Sequence, residues 1–180
     1  LAKKIKAKST NLAVSGATMS TSKDNSIYEQ ATKIKGDLII VQGTDDDWTN
    51  DIKIGTDKTD TKTFYGAFYS AITKIKSNNP NSKIIVMTPT KQCYIKDGKT
   101  VRKDTTKNDL GHTLADYVDV QIDACNELDI PVYDAYHSTQ FKPNIPSYRK
   151  SSMPDGVHPN EKGHEVIMYE LIKNFYGFYG

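Results

Sequence analysis

The sequence predicts an α/β protein built around a parallel β-sheet. Short apolar runs rich in β-branched residues are typical of strands buried on both faces, and they lie at 37–42, 83–88 and 130–133. Apolar residues at helical spacing indicate amphipathic helices, and these lie at 63–77, 113–128 and 160–176. Strands that alternate with helices favour a parallel sheet covered by helices.

The remaining segments complete this pattern. An apolar stretch at 11–15, followed by Gly16, is interpreted as a further strand, and residues 27–34 as a helix whose C-cap is Gly36. The intervening polar segments are predicted to be loops, at 43–61, 89–112 and 135–156. In parallel sheets the functional residues collect on loops beyond the carboxyl ends of the strands, so these loops are where a site is expected.

The length and composition of the chain exclude several classes of protein. The chain has 180 residues and a formal net charge of +2, which suits one globular domain over residues 1–180. A nucleic-acid partner is not expected, because the basic residues are spread along the chain and include only two arginines, Arg102 and Arg149. No apolar run approaches membrane-spanning length, so no membrane partner is expected. Cys93 and Cys125 form neither a disulfide framework nor a metal-binding pattern, and no metal is predicted.

The sharpest motif precedes the last predicted helix and reads DGVHPN, residues 155–160. Asn160 suits a helix N-cap, which places Asp155 and His158 on the entry loop. At a spacing of three, the carboxylate can reach His158 Nδ1, fix the tautomer and leave Nε2 as a general base. The alternative is an ordinary helix-entry loop with an Asx turn and a surface histidine.

Three segments resemble a known family. DGVHPNEKGHEVI is similar to the final block of the SGNH/GDSL hydrolases, which implies that Asp155 and His158 are catalytic-triad members. NLAVSGATMS resembles the second block, whose glycine N–H lines the oxyanion hole, here Gly16. DLIIVQGTDDDW resembles the third block, whose asparagine donates to the same hole. That position is Asp45 here, and because the loop is one residue longer than in the family, Asp46 and Asp47 are alternatives. The resemblance implies a flavodoxin-like three-layer α/β/α fold, the SGNH hydrolase fold, and a serine esterase without metal or organic cofactor.

Two departures from the family pattern matter. The opening block, a strand that ends in Gly-Asp-Ser, does not occur in this sequence. The domain is therefore expected to lack its N-terminal strand, and the nucleophile to come from an upstream segment of roughly 20–30 residues or from another chain. Asp45 is the second departure, because a carboxylate donates a hydrogen bond only when it is protonated.

The family resemblance implies a small ester or an acylated carbohydrate as the substrate, with acetyl as the acyl group. The stretch GTDDDW…IGT…TFYGAF resembles SGNH domains of phage-tail and cell-surface proteins of Gram-positive bacteria, which implies an extracellular, cell-surface or virion location. The rival function is a catalytically impaired glycan-binding module. A flavodoxin-like signalling or nucleotide domain is a third alternative, although GATMSTS is no Walker motif.

Other residues carry weaker hypotheses. Ser15 and Ser20 are alternative nucleophiles, but neither lies in a nucleophile-elbow pattern. The aspartates at 45–47 lack the spacing of a calcium loop. The histidines outside the motif are expected at the surface or in helix packing, namely His112, His137 and His164. Loop aromatics form a hypothetical sugar-stacking rim, made of Trp48, Tyr94, Tyr136 and Tyr148.

Overall fold

A computed structural model describes all 180 residues, which form two compact units. Unit 1 comprises Leu1–Leu12, Thr90–Asp104 and His137–Gly180. Unit 2 comprises Ala13–Pro89 and Thr105–Tyr136. The prediction of a single domain over 1–180 stays a prediction.

The elements alternate as the sequence predicts. The strands are β1 (Leu38–Gln42), β2 (Lys83–Met87), β3 (Cys93–Lys96), β4 (Lys99–Lys103) and β5 (Val132–Tyr133). The helices are α1 (Ile27–Ala31), α2 (Asp45–Thr49), α3 (Phe64–Asn78), α4 (Leu114–Glu127), α5 (Pro146–Ser152) and α6 (Glu161–Tyr179).

Unit 2 holds a three-stranded parallel sheet in the order β1-β2-β5. The register pairs Leu38 with Lys83 and Val86 with Val132. In β2 every residue after Lys83 is buried, as expected for a central strand with both faces covered. The parallel sheet and its helices confirm the α/β class.

Helices α3 and α4 carry most of the apolar side chains of the unit 2 core. The Thr63 hydroxyl caps α3 by accepting a hydrogen bond from the Gly66 N–H. The Phe64 ring lies 6.1 Å from Phe68 and 5.4 Å from Tyr117, and all three rings are buried. Large aromatic residues bury much apolar area, so this cluster contributes strongly to the stability of unit 2.

Unit 1 contains an antiparallel hairpin of β3 and β4, together with α5 and α6. The hairpin turns at Asp97 and Gly98, whose φ angles are 50° and 73°. Two consecutive positive φ angles are typical of the type I′ turn, for which Asp-Gly is a favoured sequence. The Asp-Gly pair was the sequence signal for this hairpin, which the prediction of a loop at 89–112 missed.

The strand predicted at 11–15 is wrong. These residues belong to neither sheet, and Leu12 and Val14 are 41% and 48% exposed. A strand needs a neighbour that satisfies its N–H and C=O groups, and the sheet ends at β1 without pairing to this segment. The apolar composition alone therefore did not suffice to form a strand.

Two further helices lie inside predicted loops. Helix α2 begins at Asp45, and its three N-terminal aspartates suit the positive end of the helix dipole. Helix α5 begins at Pro146, and proline is common at the first helical position. Helix α1 ends at Ala31, three residues before its predicted end.

None of the helices is both long enough and apolar enough to cross a membrane.

Candidate active site

The loop between α5 and α6 brings Asp155 and His158 into direct contact. Asp155 Oδ2 lies 2.6 Å from His158 Nδ1. The His158 side chain is 79% exposed, whereas that of Asp155 is 35% exposed. With Nδ1 bound to the carboxylate, Nε2 is the ring nitrogen that remains to exchange a proton with a substrate or nucleophile.

The Asp155 carboxylate is itself held by backbone groups. Its Oδ1 accepts hydrogen bonds from the Val157 N–H at 3.0 Å and the His158 N–H at 2.8 Å. Burial raises the pKa of Asp155, but the hydrogen bonds from the His158 side chain and from these two N–H groups outweigh it. The pKa of Asp155 consequently lies below its usual value, and the carboxylate is ionised at neutral pH.

Strand β3 fixes the backbone of the same loop. The Cys93 N–H donates to the Gly156 carbonyl at 2.9 Å, and the Ile95 N–H donates to the Asp155 carbonyl at 2.8 Å. Gly156 has a φ of 78°, and a Cβ built there would lie 1.9 Å from the Cys93 carbonyl oxygen. Only glycine allows this close approach of loop and strand.

The start of α6 fixes the other end of the loop. The Asn160 side chain accepts a hydrogen bond from the Gly163 N–H at 3.1 Å and donates to the Ser151 carbonyl at 3.0 Å. The Asn160 N–H also donates to the Ser152 carbonyl. Residues 151–160 are therefore tied to α5, β3 and α6, so the Asp155–His158 pair stands on a rigid support.

The GDSL-like Lipase/Acylhydrolase family matches residues 1–166. This chain belongs to the GDSL-like lipase/acylhydrolase family.

Solved structures agree on the fold of this GDSL-like protein. A protein from Lactobacillus plantarum is 24% identical, with a TM-score of 0.87 over 100% of this chain and 86% of that chain. A structure described as a possible lipase from Chitinophaga pinensis is 21% identical, with a TM-score of 0.72 over 91% of this chain and 80% of that one. No curated protein matches the sequence significantly. The fold is thus the SGNH hydrolase fold, and the family supports a hydrolase of the SGNH type.

The two predicted oxyanion-hole residues lie in unit 2. Gly16 is exposed in a turn with a φ of 74°, and nothing lies within 4 Å of where a Cβ would stand. Asp45 is half-buried at the first position of α2, directly after the buried Thr44. The Thr44 hydroxyl lies 2.9 Å from Gln121 Oε1, which ties the loop after β1 to α4. The roles of Gly16 and Asp45 stay predictions.

Asp47 has a structural role that the sequence does not predict. Its side chain is completely buried, and its two oxygens accept hydrogen bonds from the Met19 N–H at 2.5 Å and the Ser20 N–H at 3.1 Å. Burial raises the pKa of Asp47 to about 7, although the two N–H groups oppose the shift. Asp47 therefore fixes the segment after Gly16 to α2, and no local pattern distinguishes it from its two acidic neighbours.

The other residues considered as nucleophiles or metal ligands are not arranged for these roles. Ser20 is buried, and its hydroxyl donates to the Lys62 carbonyl at 2.8 Å, so it is not presented as a nucleophile. Ser15 lies exposed in the turn before Gly16. His137 and His164 are exposed, and the carbonyl of His112 accepts a hydrogen bond from Trp48 Nε1. No group of three or more His, Cys, Asp or Glu side chains is arranged to hold a metal ion.

The hypothesis of an aromatic rim is wrong for two of its four members. Trp48 is 1% exposed and Tyr136 is 6% exposed, so neither ring offers a face to a sugar. Both pack in the apolar core of unit 2, where large rings bury the most area. Tyr94 and Tyr148 are half-buried.

Replacement of Gly156 by alanine tests the support of the loop. The new Cβ would collide with the Cys93 carbonyl, so G156A is expected to lose at least about 3 kcal/mol of unfolding free energy in urea titrations. The matched control is G98A, which has a similar φ but nothing within 4 Å of its Cβ. That variant should lose only about 1–2 kcal/mol. Equal losses in the two variants would show that the contact with β3 does not constrain the loop.

The buried Asp47 predicts a pH dependence of stability. A carboxyl group with a raised pKa in the folded state binds more protons there than when unfolded, so its stabilising contribution is present below pH 3.8 and lost as the pH rises through about 7. Asparagine cannot ionise. The advantage of the wild type over D47N should therefore shrink by about 2–4 kcal/mol between pH 4 and pH 8 in urea titrations.

The control for this pH series is D119N, because Asp119 is an exposed carboxylate on α4 and is not among the charges that act on Asp47. D119N should keep the pH dependence of stability that the wild type shows. A D47N difference that stays constant with pH would show that Asp47 does not titrate in this range.

Proposed function

We propose that this chain is the larger part of an SGNH-type serine esterase that removes small acyl groups, acetyl above all, from a carbohydrate or another ester. The observation that carries the proposal is the 2.6 Å contact between Asp155 Oδ2 and His158 Nδ1, with the imidazole otherwise exposed. An ionised carboxylate in this position fixes the tautomer of the imidazole and stabilises the imidazolium that forms during acyl transfer.

In the proposed mechanism, His158 Nε2 takes the proton of a serine hydroxyl, and the serine oxygen attacks the ester carbonyl. In this proposal the tetrahedral oxyanion is stabilised by the backbone N–H of the serine and of Gly16, and Asp45 adds a third donor only when its carboxyl group is protonated. His158 then returns the proton to the leaving alcohol, and water hydrolyses the acyl-enzyme in a second, mirrored step. The proposed chemistry uses no cofactor.

We propose further that the serine is supplied by another stretch of polypeptide, either an upstream segment or a second chain. The edge of β1 supports this proposal. Strand β1 is paired only with β2, and its alternate residues Ile39 and Val41 are buried against the core. A buried apolar strand with an open edge is suited to pair with one more strand, and a strand that carries the nucleophile would complete the sheet there.

Secretion or display on a cell surface or virion is part of the same proposal and rests on the sequence resemblance. The rival proposal is a glycan-binding module without turnover. Its support is the acidic residue at position 45, because an ionised carboxylate beside a developing oxyanion repels it.

Hydrolysis of p-nitrophenyl acetate by the intact native product tests the esterase proposal. H158A should lower kcat/KM at least about 1000-fold, since it removes the general base. The control is H164A, an exposed histidine on α6, which should retain wild-type activity. A fluorophosphonate probe should label a serine outside residues 1–180.

Turnover that survives in H158A would contradict the proposed base. A labelled Ser20 or Ser15 would contradict the proposed origin of the nucleophile. If the folded intact product shows no turnover but binds acetylated oligosaccharide, the rival binding function is favoured.

Asparagine at position 45 tests the second departure from the family. If the Asp45 side chain faces the oxyanion, D45N introduces the missing donor and should raise kcat by roughly 100-fold, with little change in KM. The matched control is D46N, which changes charge equally at the next position and should leave kcat unchanged. A D45N rate equal to that of the wild type would remove position 45 from the oxyanion hole.

A further inference from the structure

The small net charge of the chain hides a strong segregation of charge. Unit 1, which contains Asp155 and His158, has fourteen Lys and Arg residues against six Asp and Glu residues. Unit 2 has ten basic residues against sixteen acidic ones. The unit that carries the Asp155–His158 pair is therefore strongly cationic.

The β3–β4 hairpin concentrates part of this positive charge. Residues 91–104 include five basic side chains and two acidic ones, and one of the acidic ones, Asp104, is buried. Lys96 and Lys99 face each other in register on either side of the turn, and both are exposed. Neither lysine forms an ion pair. The tip of the hairpin thus presents two ammonium groups to solvent, with the exposed carboxylate of Asp97 in the turn between them, so its net charge is +1.

Neither strand pairing nor protection of a sheet edge explains a lysine at position 96. Like charges directly opposite each other destabilise an antiparallel pair. Lysines on an open strand edge discourage aggregation, which explains Lys99 on β4. The outer edge of β3 is not open, because its N–H groups donate to the carbonyls of Asp155 and Gly156. Lys96 therefore adds repulsion at the tip without protecting an edge.

The hairpin tip lies close to the backbone of Asp155. The Ile95 N–H is 2.8 Å from the Asp155 carbonyl oxygen, and Lys96 is the next residue. Standard bond lengths then place the Lys96 Cα within about 9 Å of that oxygen. The Debye length at physiological salt is about 8 Å, so salt screens the charge of this tip only partly at the Asp155 backbone.

We propose that the β3–β4 hairpin is an anion-recognition element, and that the substrate is an acyl ester on a glycan that also carries carboxylate or phosphate groups. This inference rests on the proposed function and specifies its substrate class. Lys96 and Lys99 bind the anionic groups next to the acyl group and raise the local concentration of the ester at His158. Backbone hydrogen bonds from β3 keep this element in fixed register with the Asp155 loop.

Binding of unacylated probes tests the inference without requiring turnover. The probes are an oligogalacturonate, which carries carboxylates, a glycerol phosphate oligomer of equal charge, and neutral dextran of equal length. Wild-type protein should bind at least one anionic probe in fluorescence anisotropy, more tightly at low salt, and should not bind dextran. K96E/K99E should weaken anionic binding at least about tenfold at low salt, whereas K96R/K99R should stay within about twofold of the wild type.

The two anionic probes decide whether carboxylate or phosphate is preferred. Equal affinity of wild type and K96E/K99E would overturn the inference, as would binding of dextran. Binding of a single-stranded DNA oligonucleotide of equal charge as tightly as the better glycan probe would also overturn it, because it would show unspecific attraction of polyanions.

Kinetics separate this inference from the proposed function. In an active preparation, K96E/K99E should lower kcat/KM for 4-acetoxybenzoate, whose carboxylate lies on the alcohol side of the ester, about tenfold and leave that for neutral p-nitrophenyl acetate unchanged. Equal effects on both esters would overturn the inference while leaving the esterase intact. If no preparation hydrolyses either ester, the proposed function fails, and the binding experiment alone decides whether the hairpin recognises anions.

Discussion

The backbone of residues 151–160 is the constraint on which unit 1 depends. Strand β3 donates two hydrogen bonds to it, and Asn160 ties it to the end of α5 and the start of α6. Because Gly156 has no side chain, the loop can approach β3 closely. The orientation of the His158 ring then follows from one carboxylate, Asp155, whose own position is set by backbone N–H groups. The positions of Asp155 and His158 are therefore set mainly by main-chain hydrogen bonds.

Asp155 and Asp47 show how surroundings decide the chemistry of the same group. Each carboxylate accepts hydrogen bonds from two backbone N–H groups. Asp155 is partly exposed and has an imidazole partner, so its pKa falls below the usual value. Asp47 is completely buried, and loss of hydration raises its pKa to about 7. Two backbone donors together with the imidazole therefore stabilise the charge of Asp155, whereas two backbone donors alone only partly compensate the burial of Asp47.

Sequence patterns predicted the elements that bury a regular apolar face. Strands β1 and β2 and helices α3, α4 and α6 lie within one to three residues of their predicted bounds. The contact between Asp155 and His158 was accessible from sequence because it spans three residues. The failures are non-local: residues 11–15 form no strand since pairing depends on a neighbour, and the role of Asp47 depends on Met19 and Ser20, nearly thirty residues away. The hairpin and α5 also have local sequence features, Asp97-Gly98 and Pro146. The polar composition of the surrounding segments nevertheless led to the prediction of loops there.

The buried Asp47 also makes the folded protein bind more protons than the unfolded chain. Near pH 6 the folded chain keeps this carboxyl group largely protonated, whereas the unfolded chain, with its usual pKa of 3.8, does not. Unfolding must then release close to one proton from this group into the buffer. The heat of unfolding measured by calorimetry consequently includes the ionisation heat of the buffer, and it differs between phosphate and an amine buffer at the same pH. Protonation of Asp47 is thus part of the folding reaction of unit 2. An unfolding enthalpy measured in a single buffer therefore includes a contribution from the buffer as well as from the protein.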